Sequence, residues 1–193
     1  RKVEKSEDYG RQSEKNRIYY MKAILGDICK PKTEVIIIPS NTKGVMTRGV
    51  PARILKSGLS GISKEAKEYI ANNTVGEGDC FSTGPGRLNR RKVQRIYHSV
   101  IKRLQSDFSS IYIINKALKN ALEKVVDDGY QTVAICALGI GDGNLDPKTI
   151  ARITVENCNR YDNTIEINII DDNEEFIKEV NVFLKELNNV RTE

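Results

Sequence analysis

Apolar residues in this chain come in short blocks whose spacing switches between two periods. Val35-Ile36-Ile37-Ile38 is an unbroken apolar run, as expected of a strand covered on both faces of a sheet, and Ile18–Leu25 reads as a strand before it. From Ser110 to Asp128, Ile111, Ile114, Leu118, Leu122 and Val125 recur at helical spacing, and Gly129 is placed to end the helix. The same reading predicts a helix from about Gly49 to Ser57 stopped by Gly58, then a helix capped by Ser63 with Ala66 and Ile70 on one face. Strands around Cys80–Thr83 and Arg95–Ile101 flank the turn Gly84-Pro85-Gly86. Strand Thr132–Leu138 leads through Gly139–Asn144 to a helix with Asp146 as cap and Pro147 at its first position. Strand Ile165–Ile170 and a helix Glu174–Leu187, with Phe176, Val180, Leu184 and Leu187 on one side, close the pattern.

Strands alternating with helices predict an α/β fold with helices on both faces of a mixed sheet. Ligands of such sheets sit outside the carboxyl ends of the strands. Asp27, Asn41, the loop 42–49 and the loop 139–144 all fall at such ends, so one crevice could hold them together. Arg1–Arg17 is polar, mixed in sign and without apolar period, and is expected to be a flexible lead-in to a single domain spanning 18–190.

A chain of 193 residues can bury one real core. With 39% hydrophobic and 30% charged residues and no long uncharged apolar run, it carries no transmembrane helix and no signal-peptide core, so a soluble cytoplasmic protein is expected. Cys29, Cys80, Cys136 and Cys158 form no CxxC pair; free thiols acting as small hydrophobes are expected, and no metal or cofactor is required. The lone His98, inside a strand, reads as structural. Asp171 and Asp172, at the end of the last strand, could line a ligand crevice, but read first as caps of the helix at Glu174.

A net charge of +5 favours an anionic ligand. The basic run Arg87-Leu88-Asn89-Arg90-Arg91-Lys92 could face phosphates, although a solvated hairpin tip is the simpler reading. Backbone N–H groups can converge on a diphosphate where glycines let the main chain approach and a helix begins behind them. Gly44-Val45-Met46-Thr47-Arg48-Gly49-Val50 and Gly139-Ile140-Gly141-Asp142-Gly143 both qualify. Neither is a Walker A loop or a Rossmann GxGxxG.

The order of these elements resembles the macro domain family, whose members bind ADP-ribose. Gly26-Asp27-Ile28 is similar to the family's Gly-Asp-Ile, whose aspartate accepts from the adenine amino group. Ile38-Pro39-Ser40-Asn41 keeps only the last asparagine of the family's Asn-Ala-Ala-Asn turn, the residue that reaches the distal ribose. The loop after it resembles the Gly-Val-Met type, and Ala137-Leu138-Gly139-Ile140-Gly141 shares the Gly-Ile of the second phosphate loop without its aromatic residue. The resemblance runs from about Ile18 to Leu187. It implies a three-layer α/β/α fold and ligand contacts from Asp27, Ile28, Asn41, Gly44, Val45, Met46, Arg48, Gly49, Val50, Gly139, Ile140, Gly141, Asp142 and Gly143.

Catalysis is where the chain departs from the family. De-ADP-ribosylating members of the best-known type carry an aspartate two residues after the last glycine of the first loop; Pro51 stands there. Another branch pairs a lysine with an aspartate, for which Lys43 and Asp142 are the residues of matching type. The expectation is therefore binding of ADP-ribose, free or protein-linked, with hydrolysis open and resting on a water held by Asn41 and Asp142. The rival expectation is an RNA or poly(ADP-ribose) binding module that uses Arg87, Arg90, Arg91 and Lys92 with the basic lead-in as a phosphate track, weakened by the scarcity of exposed stacking aromatics, since Tyr19, Tyr20 and Tyr97 fall in strand patterns.

Overall fold

The computed structural model describes residues 21–106, 109–141 and 143–192. Two sequence expectations, the strand start at Ile18–Tyr20 and the lead-in 1–17, lie outside the described residues, as does Asp142.

The described strands are β1 (Met21–Leu25), β2 (Val35–Asn41), β3 (Cys80–Thr83), β4 (Arg95–Lys102), β5 (Thr132–Ile135) and β6 (Glu166–Asp171). They form one sheet in the order β1-β6-β5-β2-β4-β3, parallel throughout except for β3, which runs antiparallel to β4. The helices are α1 (Gly49–Gly58), α2 (Ser60–Asn72), α3 (Ile111–Asp127), α4 (Pro147–Cys158) and α5 (Glu174–Thr192). They cover both faces of this mixed sheet in the expected three-layer α/β/α arrangement. Ile36, Ile37 and Ile38 of β2 are accordingly buried on successive sides with no polar alternation.

Helix boundaries follow local chemistry. Ser110 Oγ accepts from Ile113 N at 3.2 Å to cap α3, and Gly129, at φ 82°, ends it. Asp146 Oδ2 accepts from Thr149 N at 2.8 Å ahead of Pro147. Ser63 is not a cap: α2 starts at Ser60, because Leu59 at φ 69° turns the chain sharply between α1 and α2 and leaves Ser63 inside the helix. Nor do Asp171 and Asp172 cap α5. That role falls to Asn173, whose Oδ1 accepts from Phe176 N at 2.8 Å. β5 stops at Ile135, shorter than expected, while Cys136, Ala137 and Leu138 continue into the core without a partner strand.

That early end opens the sheet. β2 pairs with β5 only over Val35–Ile37, yet it runs on beside β4 to Asn41. Pro39 has no N–H to offer a neighbour, so β2 cannot keep a ladder on both sides there. The chain order also reverses at this point: from β2 it passes through α1 and α2 to the edge strand β3, returns to β4 beside β2, and then crosses through α3 to β5 on the other side. A crevice at the carboxyl ends of β2 and β5 follows from both facts.

Candidate functional site

The crevice holds a pocket of about 320 Å³ between the loop after β2 and the loop after β5. Its walls include Asn41, Val45, Arg48, Gly49 and Val50 from the first loop, and Gly139, Gly141 and Gly143 from the second. Sequence reasoning placed all of these. Pro39, Ser40, Thr47, Pro51 and Ala137, neighbours in sequence of the predicted residues, also line it, as do Ile101, Lys102 and Leu104 at the end of β4, which carries no motif pointing to a pocket.

The first loop aims a helix start at this space. Arg48 precedes α1 without a side-chain cap hydrogen bond, and the first turn holds no acidic residue. Pro51 has no N–H and Ala52 N donates to Arg48 O, so the open donors of the first turn are Gly49 and Val50, which meet no side-chain acceptor among the described residues and border the pocket. The positive end of the helix dipole and the cations Arg48 and Lys102 act in the same sense, while no described lining residue is acidic.

Glycines of the two loops serve different ends. A Cβ on Gly49 or on Gly141, both of which border the pocket, would meet no atom within 4 Å, although at Gly49 the φ of 56° itself favours glycine. Gly44, at φ 61°, instead lets the loop pack on α2, where a Cβ would lie 2.8 Å from Ile70 Cδ1. Gly143 is tighter still, its Cβ position being 2.5 Å from Gly139 O. Met46 is buried in the core and Ile140 packs against it, so neither side chain lines the pocket.

Asn41 is 9% exposed and largely spent on its own loop. Its Oδ1 accepts from Lys43 N at 3.0 Å and Val45 N at 3.2 Å, and its Nδ2 donates to Val45 O at 2.9 Å. One N–H of the amide is left to face the pocket. Asp27 lies outside the pocket wall, at the end of β1. Its Oδ1 accepts from Cys29 N at 2.9 Å, and Lys30 Nζ stands 3.8 Å from Oδ2. Burial pushes its carboxyl up, but that hydrogen bond together with the Arg53 and Lys30 charges outweighs the effect and holds it below the ordinary value. Ile28 beside it is buried.

Asp171 ties the second loop down from below. Its Oδ2 accepts from Ala137 N at 3.0 Å and its Oδ1 from Asn173 N at 2.9 Å, linking the pocket wall to the start of α5. Burial raises its carboxyl despite both bonds. Next to it, Asp172 pairs with Arg53 of α1. His98 lies in the core, stacked on Phe81 with its Nε2 3.0 Å from Thr83 Oγ1; burial depresses it to about 3. Burial likewise pushes the thiols of Cys80 and Cys158 up to about 12, the behaviour of small hydrophobes. No cluster of metal-ligating side chains occurs among the described residues.

A family model described as Macro domain matches residues 37–154, which spans β2 through most of α4 and both pocket loops. The chain belongs to the macro domain family. A protein of Aquifex aeolicus is 28% identical over 142 residues, covering 74% of this chain and 82% of the relative. Among solved structures, a mutant of the Oceanobacillus iheyensis macrodomain with ADPR superposes at a TM-score of 0.78 and 18% identity, covering 90% of this chain and 96% of the other. The macrodomain of Mycobacterium tuberculosis DarG does so at 0.71 and 19%, covering 79% and 97%. At these identities the structural likeness speaks to the macro domain fold alone. Among the described residues, no helix of this macro domain is long and apolar enough to cross a membrane.

Proposed function

We propose that this macro domain binds ADP-ribose, free or attached to protein, with the diphosphate between the two loops. The observation that carries the reading is the start of α1, where the N–H groups of Gly49 and Val50 meet no side-chain acceptor among the described residues and the positive end of the helix dipole borders a pocket whose described charged lining is Arg48 and Lys102. Family membership supports it, as do neighbours with ADPR and with ADP. In this reading Asp27 takes the adenine amino group on Oδ2, Asn41 offers its remaining N–H to the distal ribose, and the backbone at Gly49, Gly139 and Gly141 approaches the phosphates.

Binding is proposed as the main activity, with hydrolysis slow. Asn41 Oδ1 already accepts twice, which leaves it poorly placed to orient a water as a base would. Pro51 lines the pocket with no acid or base to offer. Asp142, outside the described residues, remains the proposed group for any residual turnover.

Titration calorimetry with ADP-ribose, ADP, NAD and a short RNA tests the reading. Selective binding of ADP-ribose is the expected result. Salt-sensitive RNA binding without affinity for ADP-ribose would replace it with the nucleic-acid reading.

A further inference from the structure

The basic run Arg87–Lys92 joins the antiparallel strands β3 and β4 with its basic residues exposed, as a solvated hairpin tip would, but it is an ordered turn of helix. Gly86–Arg91 forms a 3-10 helix whose Leu88 is buried, and its first residue rests backbone against backbone on the end of α1. A Cβ on Gly86 would fall 2.1 Å from Gly58 O, and one on Gly58 would fall 3.2 Å from Pro85 O, so this pair of glycines sets a contact that side chains would hold apart. The arginines of this segment are thereby presented from a fixed platform.

Arg87, Arg90 and Arg91 line a concavity of about 460 Å³, together with Lys30 and Ser57. No acidic side chain is among its described lining residues, and no ion pair engages the three arginines among the described residues. Holding like charges together without counter-charges is unfavourable, and a phosphate relieves it through the planar donor forks of arginine.

The position of this concavity indicates where such a phosphate would come from. Ser57 lies at the end of α1, roughly 12 Å along the helix from the Gly49 start that borders the first pocket. Between the two sit Arg53 and Asp27, and Lys30 both lines the concavity and stands 3.8 Å from Asp27. The basic concavity therefore abuts the place where the proposed function puts adenine. It has no aromatic lining residue on which a free base could stack, which disfavours general single-strand binding.

We propose that the concavity of Lys30, Ser57, Arg87, Arg90 and Arg91 is a second anion subsite that receives a phosphate carried beyond the adenosine end of the ligand. The inference rests on the ADP-ribose reading. The phosphate could be a terminal monoester on the adenosine ribose or belong to the next unit of an ADP-ribose chain; both present the same dianionic or diester oxygens to the arginines.

The test is calorimetry on the whole chain and on the Arg87→Ala/Arg91→Ala variant, whose substituted side chains are exposed and whose thermal transition is checked first. The ligands are ADP-ribose, ADP-ribose bearing a 2′-phosphate on its adenosine ribose, a short ADP-ribose oligomer, an RNA decamer and tripolyphosphate. The expected result is that at least one phosphate-extended ligand binds the wild type roughly tenfold more tightly than ADP-ribose at low salt, and that the variant loses this advantage while its ADP-ribose affinity stays within twofold. An advantage confined to the 2′-phosphate, or to the oligomer, names the source. Equal affinity for ADP-ribose and both extended ligands overturns the proposal, as does an advantage that survives in the variant. RNA binding lost in the variant, without any gain for the extended ligands, also overturns it in favour of a nucleic-acid surface. Should the wild type ignore ADP-ribose but lose tripolyphosphate binding in the variant, the anion site stands, and its adenosine-side assignment falls together with the function proposed above.

Discussion

Asn41 and Asp27 spend part of their hydrogen-bonding capacity on their own loops, and the proposed function draws on the remainder. Asn41 uses most of its hydrogen-bonding groups to shape the loop that carries Val45, so Asn41→Ala should disorder the pocket rather than delete one contact. Among the described residues Asp27 Oδ2 accepts from no backbone N–H, and Lys30 Nζ stands 3.8 Å from it. If it accepts from adenine, Asp27→Ala removes a charge-assisted hydrogen bond worth about 1.5–3 kcal/mol, so ADP-ribose affinity should fall roughly ten- to a hundredfold in calorimetry. An affinity within twofold of wild type would move adenine elsewhere. His98 makes a separate prediction for stability. Its ring stays neutral in the fold down to about pH 3, whereas in the unfolded chain it takes a proton below about 6.5. Between those values the unfolded state binds the extra proton, so stability should fall on acidification by up to about 1.4 kcal/mol per pH unit. Denaturant titrations from pH 7 to 4 should show that slope, and His98→Gln should flatten it; an equal slope in the variant assigns the loss to carboxylates instead.

At the scale of elements, the two loops are built on opposite principles, though both are rich in glycine. The first is held from behind by α2 through Gly44 and by Asn41, and its free end becomes the uncapped start of α1. The second is folded on itself, with Asn144 N donating to Gly141 O and Leu145 N to Gly139 O, both at 3.0 Å, and is anchored by Asp171. Within it, Gly141 faces open space while Gly143 touches backbone. Gly141→Val should therefore leave the thermal transition nearly unchanged and abolish ADP-ribose binding, because the side chain enters the space assigned to phosphate. Gly143→Val should lower stability itself, by about 2 kcal/mol or more, since its Cβ cannot clear Gly139 O. Differential scanning calorimetry with a binding assay separates the two; unimpaired binding by a well-folded Gly141→Val protein would place the diphosphate outside this loop.

For the whole molecule, the parts that bind and the parts that would accelerate a reaction are unevenly supplied. Helix dipole, cations and glycine backbone act on substrate and product alike, whereas rate requires a group that acts in the transition state. Pro51 stands in the pocket wall where such an acid is common in the family resemblance. Release of ADP-ribose from mono-ADP-ribosylated protein should accordingly be slow or absent, and Pro51→Asp is the variant expected to gain rate. Rapid wild-type turnover that collapses in Asp142→Ala would reverse this and make the second loop the seat of an enzyme.

Periodicity located β2, α3 and α4 and local chemistry set the cap at Asp146 and the stop at Gly129, because burial and capping there depend on neighbours a few residues away. The two pocket loops were legible for the same reason: glycine, a strand end and a helix start lie side by side in sequence. Ser63 misled because the sharp turn at Leu59, an ordinary residue at positive φ, leaves no local signature. What required tertiary structure were relations between distant segments. The gap between β2 and β5 depends on where a strand nearly a hundred residues away stops pairing. The tie from Asp171 to Ala137, the lining from Ile101 and Lys102, and the seating of Gly86 on Gly58 join elements with no common motif. A sequence records which side chains can bury or cap; it does not record which of two similar glycines meets solvent and which meets backbone, because that is decided by the segment packed against each.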